Sequence, residues 1–130
     1  MVSAGDARAL AARDYQPRGE RATDERLARV FAYIEAALAD GVSHTEAAER
    51  AGLTAAAFSR FFRRKTGRTF EDYVSQARIA RACRALLESD RSVTDIAYEV
   101  GFGSLTHFHR RFRRVKGITP SAYRELGAGR

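Results

Sequence analysis

Long apolar runs are missing from this 130-residue chain. No stretch approaches the roughly 18 residues that a bilayer-crossing helix needs, so a membrane span is not expected. The opening segment, MVSAGDARALAARDYQPRGER, holds no apolar stretch of the kind that begins a secreted chain. A single cysteine, Cys83, excludes an internal disulfide. Together these absences point to a reducing, cytoplasmic setting. Also lacking is the period-two alternation of a half-buried strand, which leaves an all-α fold. Catalytic chemistry is thin too. No Gly-rich phosphate loop and no paired acids stand out. His44, His107 and His109 have no cysteine or carboxylate cluster beside them to complete a metal site. Cys83 lies mid-helix beside Ala82 and Leu86, where a buried structural thiol is expected and a nucleophile is not. The expectation is no enzyme, no cofactor and no metal.

What the chain does have is apolar material and unevenly placed charge. With 45% apolar residues it can build a real core, and one compact unit with a tail suits its length. The net charge is +7, yet residues 54–68 alone carry +5 and residues 104–116 another +5, leaving −3 for everything else. A surface charged only for solubility would mix both signs. Two concentrated patches instead point to a polyanionic partner.

Helical periodicity organises most of the chain. Residues 1–23 lack a sustained apolar period and read as a tail or interdomain linker. From Asp24, Leu27, Val30, Phe31, Ile34 and Leu38 recur at helical spacing up to Gly41. Ser43 to Glu46 reads as a capping box opening a short helix. Thr54 caps the next, which Gly67 closes, and Thr69 starts a longer one over FEDYVSQARIARACRALLES. Ser92 with Asp95 opens another short helix. One more spans roughly Ser104 to Lys116, and Pro120 begins the last. About seven helices result.

Half of that series is a copy of the other half. Ser43, Thr45, Glu46, Ala48 and Gly52 match Ser92, Thr94, Asp95, Ala97 and Gly101 at an offset of 49. After a one-residue insertion, Phe58, Phe62, Arg63, Arg64, Gly67, Thr69 and Tyr73 match Phe108, Phe112, Arg113, Arg114, Gly117, Thr119 and Tyr123 at an offset of 50. Each unit is two helices joined by a short Gly-containing turn, the helix-turn-helix pattern. Turned by about 100° per residue, the second helix of each unit puts its rings on one side. Phe58, Phe61 and Phe62 face inward in the first copy, and Leu105, Phe108 and Phe112 in the second. Ala56, Ser59, Arg60, Arg63 and Arg64, and likewise Thr106, His109, Arg110, Arg113 and Arg114, face out. One basic helix face alone is ordinarily just solvated, but here the same arrangement occurs twice at matching positions. Arg can pair with guanine, Thr can touch a thymine methyl, and His can bond a base edge. Arg63, Arg64, Arg113 and Arg114 suit phosphates, which set position and not sequence. The connecting helix, about 28 Å long at 1.5 Å per residue, would hold the two basic helices about one DNA turn, roughly 34 Å, apart.

These stretches resemble the DNA-binding domain of the AraC/XylS family of bacterial transcription regulators. The resemblance is carried by AAERAGLTAAAFSRFFRRKTGRTFEDYVSQARIARACRALL and SVTDIAYEVGFGSLTHFHRRFRRVKGITPSAYREL, and covers about residues 24–126. It implies seven helices in two homeodomain-like helix-turn-helix subdomains: 24–68, a connecting helix over 69–88, and 89–126, with a short tail over 127–130. It also implies that Ala56, Ser59 and Arg60 read bases in the first unit, and Leu105, Thr106, His109 and Arg110 in the second. Partners implied are double-stranded promoter DNA and RNA polymerase, with activation as the outcome. The first unit, with Ala55, Ala56 and Ala57, is expected to lean on Ser59 and Arg60. The chain is expected to act as a monomer. It reads as the C-terminal piece of a longer regulator with an N-terminal sensor domain, with a stand-alone small regulator as the alternative. The rival function is a non-specific or architectural nucleic-acid-binding module, but its usual exposed stacking rings are here turned inward.

Overall fold

The computed structural model describes residues 18–128. Among them are seven helices and no strand: α1 (Arg18–Ala37), α2 (His44–Ala51), α3 (Ala55–Thr66), α4 (Phe70–Glu88), α5 (Val93–Glu99), α6 (Leu105–Lys116) and α7 (Pro120–Ala128). The all-α expectation holds. The first helix begins at Arg18, earlier than the apolar period at Asp24 suggested, because exposed helical residues carry no periodic signal. Most of the expected tail, residues 1–23, lies outside the described residues.

Local chemistry starts at least five of the seven helices. Ser43, Thr54, Thr69, Ser92 and Ser104 each accept a hydrogen bond from the backbone N–H three residues on, at 3.0–3.2 Å. Each cap satisfies one orphan donor and contributes about 1 kcal/mol. The expected capping box at Ser43 is only half formed. The Glu46 carboxylate is held by Arg50 at 3.0 Å, while the Ser43 N–H donates to the Tyr33 hydroxyl at 2.8 Å. A tyrosine from α1 thus does the work that the local sequence assigned to Glu46. At the other end of the chain, Arg124 donates to the carbonyls of Leu86, Ser89 and Arg91. It closes the C-terminus of α4, whose last carbonyls have no helical partners.

Two cores result, and the duplication reappears in them. The first packs Val30 and Ile34 of α1, Leu38 just after it, Ala47, Ala48 and Ala51 of α2, and Phe58, Phe61 and Phe62 of α3 against Phe70 and Val74 of α4. The second packs Ile79, Ala82, Cys83 and Leu86 of α4 against Ile96, Ala97, Phe102, Phe108 and Phe112. Phe58, Phe62, Phe108 and Phe112 are all fully buried. Each ring removed from water stabilises the fold by about 1.5–3 kcal/mol. Phe58–Phe62 and Phe108–Phe112 have the same 5.7 Å centroid separation. Tyr73 meets Phe62 edge-on at 5.4 Å, and Tyr123 meets Phe112 at 5.6 Å. Cys83 is buried as expected; burial pushes its thiol up from the ordinary value, against weaker opposing effects of Tyr123 and Lys116.

The halves are joined by more than α4. Arg78, whose burial lowers its pKa, donates to the Leu38 carbonyl at 3.1 Å. Gly101, in the turn of the second unit, lies directly over that bond. A Cβ there would sit 2.3 Å from the Leu38 oxygen and 2.6 Å from Arg78 Nε, at a φ of 114°. Its first-unit counterpart Gly52 has a φ of 73° and open space around it. Both positions favour glycine for backbone reasons, but only Gly101 is also needed for close approach. No described helix is long and apolar enough to cross a membrane.

Candidate nucleic-acid interface

α3 and α6 are built alike. Each begins at a capped Ser or Thr, runs 12 residues, and ends at a left-handed glycine, Gly67 or Gly117. Buried rings hold one side of each helix against its core. On the opposite side of α3, Ala56, Ser59, Arg60, Arg63 and Arg64 are exposed. On α6 the exposed residues are Thr106, His109, Arg110, Arg113 and Arg114. Arg60, Arg63, Arg64, Arg110, Arg113 and Arg114 make no side-chain ion pair or hydrogen bond among the described residues. Six unpaired guanidinium groups on two matched faces leave a strong field for an anion.

Leu105 departs from the group. It is half-buried and packs against the second core, so only part of its side chain reaches the surface. Arg111 departs further. It contributed to the positive count of residues 104–116, yet it points inward, and its Nη2 donates to Asp72 Oδ1 at 2.7 Å. Its side chain is 15% exposed, against 48% for Asp72. Its Nε is buried with no partner among the described residues. Arg111 therefore belongs to the packing of α6 on α4 and not to the exposed charge. Lys116 is also partly engaged, lying 5.8 Å from the Tyr123 ring.

Both basic helices lie beside the first turns of α4. Arg60, Arg63 and Arg64 share a shallow depression with Thr69, Phe70 and Glu71. From the other unit, His107 shares one with Phe70, Glu71 and Val74, and Arg111 bonds Asp72. The first core rests on Phe70 and Val74 of α4, and the second on Ile79, Ala82 and Leu86 further along it.

One residue of this surface was missed at the level of sequence. His44, the first residue of α2, reads locally as part of a cap. Its Nε2 is 2.9 Å from the Ser59 hydroxyl, and its ring stands edge-on to Phe58 at 5.2 Å and Phe70 at 5.5 Å. The contact spans 15 residues of chain, so no local pattern reveals it. Among the described residues no group of three or more His, Cys, Asp and Glu side chains is placed to hold a metal ion.

Comparison with known proteins bears on this surface. A family model described as a helix-turn-helix domain matches residues 47–126. The chain is 37% identical to the HTH-type transcriptional activator RhaS of Escherichia fergusonii, over 86% of this chain and 39% of that protein. Among solved structures, the DNA-binding domain of AdpA, in complex with a target DNA, superposes with a TM-score of 0.73 at 34% identity. That match covers 78% of this chain and 91% of the AdpA domain. A transcriptional regulator of Chromobacterium violaceum, described as containing an AraC-type DNA-binding domain, superposes with a TM-score of 0.75 at 25% identity, covering 82% of this chain and 95% of that one. The chain spans about two-fifths of the length of the curated relatives it matches.

Proposed function

The chain belongs to the AraC-type helix-turn-helix family of transcription regulators, and from that membership we propose that it binds double-stranded promoter DNA sequence-specifically and regulates transcription, with α3 and α6 entering consecutive major-groove segments. The observation that carries the reading is the matched pair of exposed faces, each with small or uncharged side chains in its first turns, rich in unpaired arginine further on, and backed by buried rings. The AdpA domain, seen with its target DNA, supports duplex DNA as the partner. RhaS, a transcriptional activator by name, supports activation as the outcome.

Residue roles follow from position on each face. Ala56, Ser59 and Arg60 read bases from α3, and Thr106, His109 and Arg110 do so from α6. Leu105 adds only an exposed apolar edge, suited to a thymine methyl. Arg63, Arg64, Arg113 and Arg114 hold phosphates and set register. The same reading places the protein in the cytoplasm, binding as a monomer through both faces and contacting RNA polymerase from the promoter. A footprint combined with in vitro site selection tests it. One molecule protecting two adjacent groove segments, with distinct base preferences in each, is the expected result. Random duplex or RNA competing as well as the selected site would leave only a non-specific or architectural binder.

A further inference from the structure

We infer that His44, although it lies on α2 and outside the exposed face, is a positioning residue that sets what Ser59 offers to a base. The inference rests on the reading of Ser59 as a base contact. A serine hydroxyl has one donor and two acceptor sites and rotates among three wells, so alone it discriminates bases poorly. On a helix its usual local partner is the carbonyl four residues back. Here it is bonded to His44 Nε2 at 2.9 Å instead. The imidazole is in turn immobilised, standing edge-on to Phe58 and Phe70 at 76° and 87°, on rings that belong to the first core.

This bond occupies one of the three hydrogen-bonding sites of Ser59. If Nε2 accepts, the hydroxyl proton is consumed and Ser59 faces the groove with lone pairs, which suit the amino groups of adenine or cytosine. If Nε2 donates, the hydroxyl proton is free for guanine O6 and N7 or thymine O4, and one lone pair remains beside it. In either case the side chain is fixed in one rotamer, so what it offers a base has a set direction. The second unit has no such relay. The positions matching His44 and Ser59 are Val93 and His109, so there the imidazole is on the exposed face itself. The two units thus place the same chemical group at different depths.

Site selection with the 130-residue wild-type chain, Ser59→Ala, His44→Leu, His44→Gln and the Ser59→Ala/His44→Leu pair tests the inference. Ser59→Ala identifies the base pair that Ser59 reads. His44→Leu keeps the apolar packing on Phe58 and Phe70. It is expected to flatten the preference at that same base pair by about five- to tenfold, at the low end of what one good base contact discriminates. The double variant is expected to lose nothing more. His44→Gln, whose amide reaches the Nε2 position, is expected to restore much of the preference. Other base pairs and the thermal midpoint should not move. If Ser59→Ala abolishes a preference that His44→Leu leaves intact, the relay is wrong while base reading by Ser59 stands. A loss from His44→Leu spread evenly over all positions, with a lowered midpoint, makes His44 merely structural and also overturns it. If Ser59→Ala changes no position, base reading by Ser59 itself fails.

Discussion

Salt dependence offers the most direct measure of how many arginines and lysines meet DNA. The two basic segments contain ten cationic residues by sequence. Arg111 is removed from the pool by its pairing with Asp72 at 2.7 Å. Arg60 and Arg110 are assigned to bases, and Lys116 is partly occupied over Tyr123. Arg63, Arg64, Lys65, Arg68, Arg113 and Arg114 remain for phosphates, all exposed. At about 0.9 per neutralised phosphate, six contacts give a slope of log K against log salt near −5. Raising salt from about 50 to 200 mM then lowers affinity roughly 10³-fold. Fluorescence anisotropy with a selected duplex over a salt series measures the slope directly. Arg64→Ala should make it shallower by about 0.9, whereas Arg111→Met should leave it unchanged because that guanidinium releases no counterion. A wild-type slope flatter than about −2, or an Arg111→Met effect equal to that of Arg64→Ala, would refute this division of the charges.

Other substitutions separate reading from holding. Arg60→Ala and Arg110→Ala should each cost about 1–3 kcal/mol in specific binding and relax the preference at one base position, measured by site selection. In urea unfolding, Asp72→Ala should cost about 1–2 kcal/mol, since it strands a mostly buried guanidinium and loses a carboxylate from the first turn of α4. Arg111→Met should cost under about 1 kcal/mol, because the half-exposed Asp72 is left to water. Equal costs would contradict the burial asymmetry. Gly101→Ala should destabilise by about 3 kcal/mol, from left-handed strain plus the clash with Leu38 and Arg78, and Gly52→Ala by only about 1 kcal/mol.

Legibility along the chain tracked the range of the interaction involved. The caps at Ser43, Thr54, Thr69 and Ser92 could be read because a cap acts over three residues. The inward rings Phe58, Phe62, Phe108 and Phe112 were readable for the same reason, since helical period and burial coincide. The half-formed capping box was not, because Tyr33 competes for it from another helix. Nor was the inward turn of Arg111, whose partner is 39 residues away. A charge count is blind to which cations are already neutralised.

The sequence by itself determined that the chain is helical, that its unit is duplicated, and which side of α3 and α6 faces outward, because these follow from period, capping and repetition along a single helix. Tertiary structure alone decided which arginine is spent on Asp72, why Gly101 and not Gly52 is crowded, and that His44 holds Ser59. Each of those depends on two segments meeting across α4 or α2, and that proximity is created only when the buried rings draw the helices together.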